Sequence, residues 1–420
     1  MIERPRGTRD FLPEEMRRRR FVERKMRESV ERWGYEEIKT PTFEHLDLFT
    51  LKSGEDIVDE IYSFEDKGGR KLALRPELTA PVIRFYVNEL QNEPKPLRFY
   101  YFDDCFRYER PQKGRFREFW QFGIELIGGR RDLANFEMIT LSVDILRNIG
   151  LGKFDLHVGD VSLLKKAVSS QRDDLDEEKE RKIFRLMDKK DEEGLKTYLA
   201  EIGIDAENLS FLMNVSGNQR FVSTSDPIEE AKRIFGDIDE IKQLSTLLGL
   251  LNAYEIYPKI DLSIARGLDY YTGIVFEIYA EEGLGAQRQI CGGGEYDLIE
   301  LFGGREERSR GFAFGFDRIM EVLKIEKEEE NRIMVISTDD CRREGIKVAR
   351  KLRKKFKVEL DVMGRSLKSQ LSYANSKGVK KVVIVGKREV EGNFYTLKDM
   401  DSGEQISCGE EELLEMIANL

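Results

Sequence analysis

The stretch Phe106–Gly128, FRYERPQKGRFREFWQFGIELIG, contains two strand patterns joined by a basic loop. In the second strand, alternation places large apolar side chains on one face: Trp120, Phe122, Ile124 and Leu126. The opposite face carries a ring, an amide, a glycine and a carboxylate: Phe119, Gln121, Gly123 and Glu125. Arg107 and Glu109 share a face of the first strand. We therefore expect a small polar ligand on this sheet, stacked on the ring and held by guanidinium and carboxylate groups. Gly123 is expected to let the ligand approach the backbone. A salt-bridged surface hairpin is the alternative.

Length and composition indicate a folded protein of two or three domains. The chain has 420 residues, of which 40% are hydrophobic and 10% aromatic. The longest apolar runs are too short to span a bilayer, and the first residues lack the apolar core of a signal peptide. These features predict a cytoplasmic protein without a membrane partner.

Cysteine and histidine usage narrows the chemistry. The four cysteines form no Cys-x-x-Cys pair, and there are only two histidines, which disfavours a zinc site or a histidine-based nucleophile relay. The net charge of −10 argues against nonspecific nucleic-acid binding by the whole surface. From residue 331 onward, however, 18 Lys and Arg residues face 14 Asp and Glu residues, a net charge of +4 that fits a local RNA-binding face.

The chain changes pattern three times along its length. Helices and strands alternate up to residue 160, beginning with a helix at Glu14–Trp33. Between Asp160 and Leu251 only charged amphipathic helices are predicted, as expected of an insert. Strands then resume, and from Ile333 onward alternating strands and helices predict a compact α/β domain after a charged linker at Lys324–Arg332.

Four further motifs carry groups that suit a ligand, although each has an ordinary structural reading. RPELTA at 75–80 also fits a helix cap, and RGLDYYTG at 266–273 also fits a β-turn with an Arg–Asp pair. CGGGEYD at 291–297 fits close backbone approach or a flexible loop. In GFAFGFDR at 311–318, Arg318 suits a terminal phosphate, or else a surface pair with Asp317.

Together and in this order, the motifs resemble those of the class II aminoacyl-tRNA synthetases, and within that class the histidyl-tRNA synthetases. GYEEIKTPTFE, the hairpin at 106–125 and GFAFGFDRI resemble the three class motifs. RGLDYYTG and the glycine run resemble the two signatures of the histidine enzymes, and RGTRDFLP resembles the start of that family. The resemblance covers essentially the whole chain.

The resemblance implies an α+β catalytic domain whose mainly antiparallel sheet is flanked by helices. This domain would comprise residues 1–160 and 252–325. A helical insertion would occupy residues 161–251, and an α/β anticodon-binding domain residues 326–420.

The resemblance also assigns roles residue by residue. The residues implied at histidine are Glu77, Thr79, Gln121, Glu125, Tyr270 and Tyr271. Those implied at ATP are Arg107, Glu109, Arg115, Phe119 and Arg318. Arg107 and Arg266 are the implied catalytic residues, beside the reacting carboxylate and α-phosphate. No protein metal site is implied.

The implied activity has two steps. Histidine reacts with ATP to form histidyl-adenylate, with Mg²⁺ assisting the departure of pyrophosphate, and histidine is then transferred to tRNA(His). The implied partners are histidine, ATP, tRNA(His) and a second copy of the chain in a homodimer, with no DNA. Adenylate formation brings two anions together, which suits arginines and needs no side-chain nucleophile.

Two positions depart from the family signature, Glu295 and Leu298, and Leu298 stands where the family usually has a glycine. Glu295 stands where the family usually has an arginine, and a carboxylate is unexpected beside phosphates, so we exclude Glu295 from the site. Three alternatives stay open: a non-catalytic regulatory paralogue of the ATP phosphoribosyltransferase type, a class II synthetase for threonine or proline, and a pure RNA-binding module.

Overall fold

Eleven strands precede residue 325 in the part of the chain that the structure describes. The computed structural model describes residues 2–53, 55–109, 115–169, 176–188, 191–204, 228–229, 232, 236–262, 264, 271–284, 288–325 and 332–418. The strands are β1 (Glu36–Glu37), β2 (Phe43–His45), β3 (Ser63–Glu65), β4 (Lys71–Leu74), β5 (Leu97–Phe106), β6 (Glu118–Ile127), β7 (Phe154–Asp160), β8 (Lys259–Ile260), β9 (Tyr271–Ala280), β10 (Gln289–Tyr296) and β11 (Ser309–Gly315).

The predicted hairpin, β5 and β6, lies inside an eight-stranded sheet. Its order is β1-β5-β6-β11-β10-β9-β7-β8, and only the two edge pairs, β1 with β5 and β7 with β8, are parallel. A smaller antiparallel sheet has the order β2-β4-β3. The large, mainly antiparallel sheet is the one that the resemblance implied.

Helices pack against the large sheet, and further helices come after β7 along the chain. Those described before residue 325 are α1 (Pro13–Arg32), α2 (Asp47–Ser53), α3 (Thr79–Phe85, continued by a π-helix at Tyr86–Leu90), α4 (Arg131–Asn148), α5 (Val161–Ser169), α6 (Glu177–Asp188), α7 (Glu192–Glu201), α8 (Asp239–Ala253), α9 (Leu298–Leu301) and α10 (Phe316–Val322). A short 3₁₀ helix spans Glu55–Glu60.

The two faces of β6 enter different cores, as its alternation predicted. Phe122 and Ile124 pack with buried residues of α1 and α4, such as Val22 and Met138. On the opposite side, Phe119 packs with a second cluster that contains Tyr101. The apolar face therefore fixes the strand against the helices and turns the polar face towards the other side.

Strand β5 is continuous although its apolar pattern is interrupted near the middle. Asp103 and Asp104 interrupt the apolar pattern, but the buried guanidinium of Arg75 pairs with Asp103 at 2.7 Å and donates to the Asp104 carbonyl at 2.8 Å. The predicted glycine-rich loop at 291–294 is likewise inside a strand, β10. Most of the basic loop at 110–116 and of the linker at 324–332 lies outside the described residues.

Residues 326–420 form a separate unit with its own sheet. Its strands are β12 (Arg332–Ser337), β13 (Lys357–Leu360), β14 (Lys381–Val385), β15 (Tyr395–Asp399) and β16 (Gln405–Cys408), in the order β13-β12-β14-β15-β16. Its helices are α11 (Arg342–Leu352), α12 (Leu367–Ser376), α13 (Lys387–Gly392) and α14 (Glu410–Ala418), with a 3₁₀ turn at Asp339–Cys341. The predicted α/β pattern is confirmed, while β16 and α13 were not anticipated.

Helices pack on both faces of this second sheet. Helices α11 and α14 share one core with Ile333 and Val335, and α12 packs on the other face with Met334 and Ile336. In the ranges that the structure describes, no helix is both long and apolar enough to cross a bilayer.

Candidate active site

Tyr101 of β5 fills the space beside Gly123 on the polar face of β6. The two residues are paired across the hairpin, and a Cβ at position 123 would lie 2.3 Å from the Tyr101 ring. Glycine is required here because any side chain would overlap that ring. The expectation that Gly123 leaves room for a ligand is therefore wrong, since the neighbouring tyrosine occupies that room.

Glu125 is a fully buried carboxylate that accepts hydrogen bonds from tyrosines. Its side chain has no exposed surface, and it accepts from the hydroxyls of Tyr296 and, at 3.3 Å, Tyr101. Position 311 on the adjacent strand must be glycine, because a Cβ there would lie 1.9 Å from the Glu125 Oε2 atom. A buried charge is tolerated where hydrogen bonds satisfy it, and here strand β10 and strand β5 each supply a hydroxyl.

Both hydroxyls remain donors over the physiological pH range. Burial, reinforced by the negative charge of Glu125, raises the pKa of Tyr101 and of Tyr296 well above that of an exposed tyrosine. The Tyr271 ring is also buried, with its centroid 6.4 Å from that of Tyr296. The result is a buried cluster of three tyrosines around one carboxylate. Tyr101 and Tyr296 were missed from the sequence.

The RPELTA motif forms the helix cap that was its ordinary reading, and it also supports Arg107. The Glu77 carboxylate accepts from the backbone amides of Thr79 at 2.7 Å and Ala80 at 3.2 Å, at the start of α3. Arg107 donates from Nε to the Pro76 carbonyl at 2.9 Å. The turn before α3 therefore holds the guanidinium of the adjacent strand end.

The residues expected at ATP share one open pocket. The pocket wall includes all five of them and one residue expected at histidine: Arg107, Glu109, Arg115, Phe119, Arg318 and Gln121. The Arg107 guanidinium lies 5.1 Å from the centre of the Phe119 ring. Glu109 lies between two guanidiniums, 3.2 Å from that of Arg115 and 3.8 Å from that of Arg107. Cationic groups, a flat ring and a carboxylate thus converge as adenine and phosphates require.

Arg318 reaches this pocket from the first turn of α10. Its Nη1 atom donates to the Gln289 carbonyl of β10 at 2.7 Å, which directs the side chain across the sheet. The neighbouring Asp317 is buried and accepts instead from Arg9 at 2.5 Å and Arg19 at 2.8 Å. The alternative reading, a surface pair of Asp317 with Arg318, is therefore wrong, because Asp317 is buried and pairs with residues near the start of the chain.

Two family models match the chain. A family model described as histidyl-tRNA synthetase matches residues 7–319, and one described as an anticodon binding domain matches residues 330–420. This chain belongs to the histidyl-tRNA synthetase family.

Individual relatives are similar over nearly the whole chain. The histidine--tRNA ligase of Methanosarcina acetivorans is 50% identical over 419 residues, which cover 99% of this chain and 98% of that protein. Among solved structures, the apo histidyl-tRNA synthetase of S. aureus is 26% identical, with a TM-score of 0.72, and covers 99% of this chain and 100% of that one. An ATP phosphoribosyltransferase regulatory subunit/histidyl-tRNA synthetase from Bacillus halodurans is 28% identical, with a TM-score of 0.77, covering 92% and 98% respectively.

Glu295, one departure from the usual signature of histidyl-tRNA synthetases, points into an ion cluster away from the open pocket and from Glu125. Its carboxylate pairs with Arg131 at 2.8 Å and with the fully buried Arg310 at 3.1 Å. Arg310 also donates to Asn135 at 2.9 Å, and burial lowers the pKa of its guanidinium. Strand β10 thus alternates, with Tyr296 facing Glu125 and Glu295 facing α4. Two other predicted site residues, Arg266 and Tyr270, lie outside the described residues.

Proposed function

We propose that this synthetase activates histidine with ATP, releases pyrophosphate, and transfers histidine from the adenylate to the 3′ end of tRNA(His). The observation that carries the proposal is the buried Glu125 with its tyrosine donors. A buried carboxylate forms strong hydrogen bonds with an N–H donor, which an imidazole ring supplies. We assign Glu125 and Tyr271 to the imidazole, with Tyr270 at the same pocket, and Glu77, Thr79 and Gln121 to the α-amino group.

The open pocket suits the activation step. The histidine carboxylate must attack the α-phosphate in line, so two anions have to be held together. We assign Arg107 and Arg266 to those reacting groups, because a fixed guanidinium stabilises the charge that develops between them. Phe119 would stack on adenine with Glu109 near its amino group, and Arg115 and Arg318 would hold the outer phosphates.

Magnesium would enter with ATP. In the described ranges, no three His, Cys, Asp or Glu side chains form a group able to hold a metal ion. Mg²⁺ commonly binds through substrate phosphates with only one or two carboxylates, so it needs no dedicated protein cage. The ion would neutralise the departing pyrophosphate.

We propose that each part of the chain has the function that the resemblance implied. Residues 1–160 and 252–325 would catalyse, residues 161–251 would form a helical insertion, and residues 326–420 would bind the anticodon region of the tRNA. The enzyme would act in the cytoplasm, where translation uses the charged tRNA.

A homodimer is supported by exposed aromatic residues in the small sheet. Phe43 and Phe64 are 53% and 45% exposed, with ring centroids 6.4 Å apart. Large apolar side chains grouped at a surface mark an interaction site. Sedimentation of the wild type and of Phe43→Ser tests this: a dimer that the substitution weakens is expected, and a wild-type monomer would refute it.

Charging of tRNA(His) with labelled histidine tests the proposed function. Glu125→Gln is expected to lose about 100-fold or more in kcat/KM for histidine, because a site built around a hydrogen-bonded group rejects its mismatch strongly. Glu300→Gln, at an exposed carboxylate on α9, is the matched control. A wild-type chain that binds histidine, charges no tRNA and stimulates an ATP phosphoribosyltransferase would instead be the regulatory paralogue. The 50% sequence identity to a histidine--tRNA ligase over nearly the whole chain disfavours that alternative.

A further inference from the structure

Helix α11 and the turn after it concentrate the positive charge of the C-terminal unit. Residues 342–357 contain nine Lys and Arg residues but only one acidic residue, Glu344, which lies near the start of the helix. Residues 331–420 contain 18 Lys and Arg residues in total, so half of them lie in this short segment.

The helix separates its residues cleanly into an inner and an outer face. The inner face, buried against the sheet, consists of Gly345, Val348, Ala349 and Leu352. Arg343, Lys347 and Arg350 follow one another at helical spacing on the outside, and all three are exposed. With a rise of about 1.5 Å per residue, this row extends about 10 Å along the helix. We call these three residues the basic row.

Much of the charge on the basic row is not neutralised within the unit. Lys347 lies 3.8 Å from Glu344, a distant and exposed pair. Arg343 and Arg350 make no ion pair with any residue in the described ranges. By contrast, Lys351 beside the row pairs with Glu410 at 2.6 Å. Like charges on successive helical turns repel one another, which a bound polyanion would relieve.

We infer that the basic row binds the phosphate backbone of the tRNA. This inference rests on the proposed function, which makes tRNA a substrate. A row of exposed cations along a rigid helix matches a chain of phosphates, and such contacts position a nucleic acid without reading its sequence. The row therefore orients the tRNA, and reading of the anticodon bases belongs to other residues.

The test is tRNA binding as a function of salt, which needs no catalysis. In Arg343→Gln/Arg350→Gln, two phosphate contacts are lost, and the slope of log K against log salt is expected to fall by about 2. Each phosphate contact contributes about −0.9 to this slope. Two contacts therefore account for about 60-fold of the change in affinity between 1 M and 0.1 M salt. Histidine-dependent ATP–pyrophosphate exchange without tRNA is expected to be unchanged.

Two control variants separate the basic row from charge in general. Arg343→Lys/Arg350→Lys keeps the charge and is expected to keep most of the binding. Lys368→Gln/Lys377→Gln removes two exposed charges at α12, on the opposite face of the sheet, and is expected to change the slope little.

Unchanged tRNA binding in the α11 pair would overturn the inference, as would an equal loss in the α12 pair, which would show a dependence on total charge only. The proposed function is tested separately. It fails if the wild type shows no ATP–pyrophosphate exchange, whereas tRNA binding is measured without that reaction.

Discussion

Tyr296→Phe removes one hydroxyl from the pocket assigned to the imidazole and nothing else. The Tyr296 hydroxyl donates to Glu125, and both side chains are buried. A hydrogen bond to a charged group contributes about 1.5–3 kcal/mol. This bond is made without histidine too, so its energy is an upper bound on what positioning of Glu125 contributes to binding. Because about 1.4 kcal/mol is a factor of ten, the KM for histidine is expected to rise, by at most about 10- to 150-fold. The KM for ATP is expected to stay within about twofold, since Tyr296 does not line the pocket that holds Arg107 and Arg318.

Steady-state pyrophosphate exchange with varied histidine and varied ATP measures both constants. Tyr100→Phe is the matched control, because its hydroxyl also donates to a glutamate, Glu31 at 2.8 Å, but on the other face of the sheet. Tyr101→Phe is expected to have a smaller effect than Tyr296→Phe, since its bond to Glu125 is longer. Equal effects of Tyr296→Phe and Tyr100→Phe on the KM for histidine would refute the reasoning, because they would show no special role for the Glu125 pocket.

Three further predictions follow from the surrounding contacts. Arg318→Gln is expected to lower exchange about 100-fold without weakening histidine binding measured by calorimetry; weakened histidine binding would contradict its assignment to ATP. Asp317→Asn removes the carboxylate that pairs with Arg9 and Arg19 and leaves the buried Arg19 with the partly exposed Glu15 at 3.5 Å, so the free energy of unfolding in urea is expected to fall by about 3–5 kcal/mol, and an unchanged midpoint would contradict this. The raised pKa of Tyr296 keeps its proton in the folded state, while the unfolded chain releases its own near pH 10. Stability is therefore expected to fall above pH 10 by about 1.4 kcal/mol per pH unit for this residue, and Tyr296→Phe should reduce that slope.

The faces of the central strand were predictable because alternation is a local property. Trp120 and Phe122 had to be buried together, and this placed Phe119 and Glu125 on the other side. The partners of Glu125 were not predictable in the same way. Tyr296 lies 171 residues away along the chain, and nothing local in its glycine-rich strand links it to Glu125.

Asp317 and Glu295 illustrate how distant pairing decides the role of a charge. A pair of Asp317 with its sequence neighbour Arg318 was the alternative reading, but Asp317 pairs instead with Arg9, 308 positions away. Glu295 was excluded from the site because a carboxylate does not suit phosphates, and its cluster with Arg131 and Arg310 supplies the physical reason for a carboxylate there. No local pattern predicts such pairs, because they depend on which strands become neighbours.

The central claim is that the carboxylate pocket selects histidine for activation by ATP. Amino-acid-dependent ATP–pyrophosphate exchange, with each standard amino acid in turn, tests it most directly. The account predicts exchange with histidine alone, and its loss in Glu125→Gln. Exchange with a different amino acid, or none with any amino acid from folded protein, would contradict it.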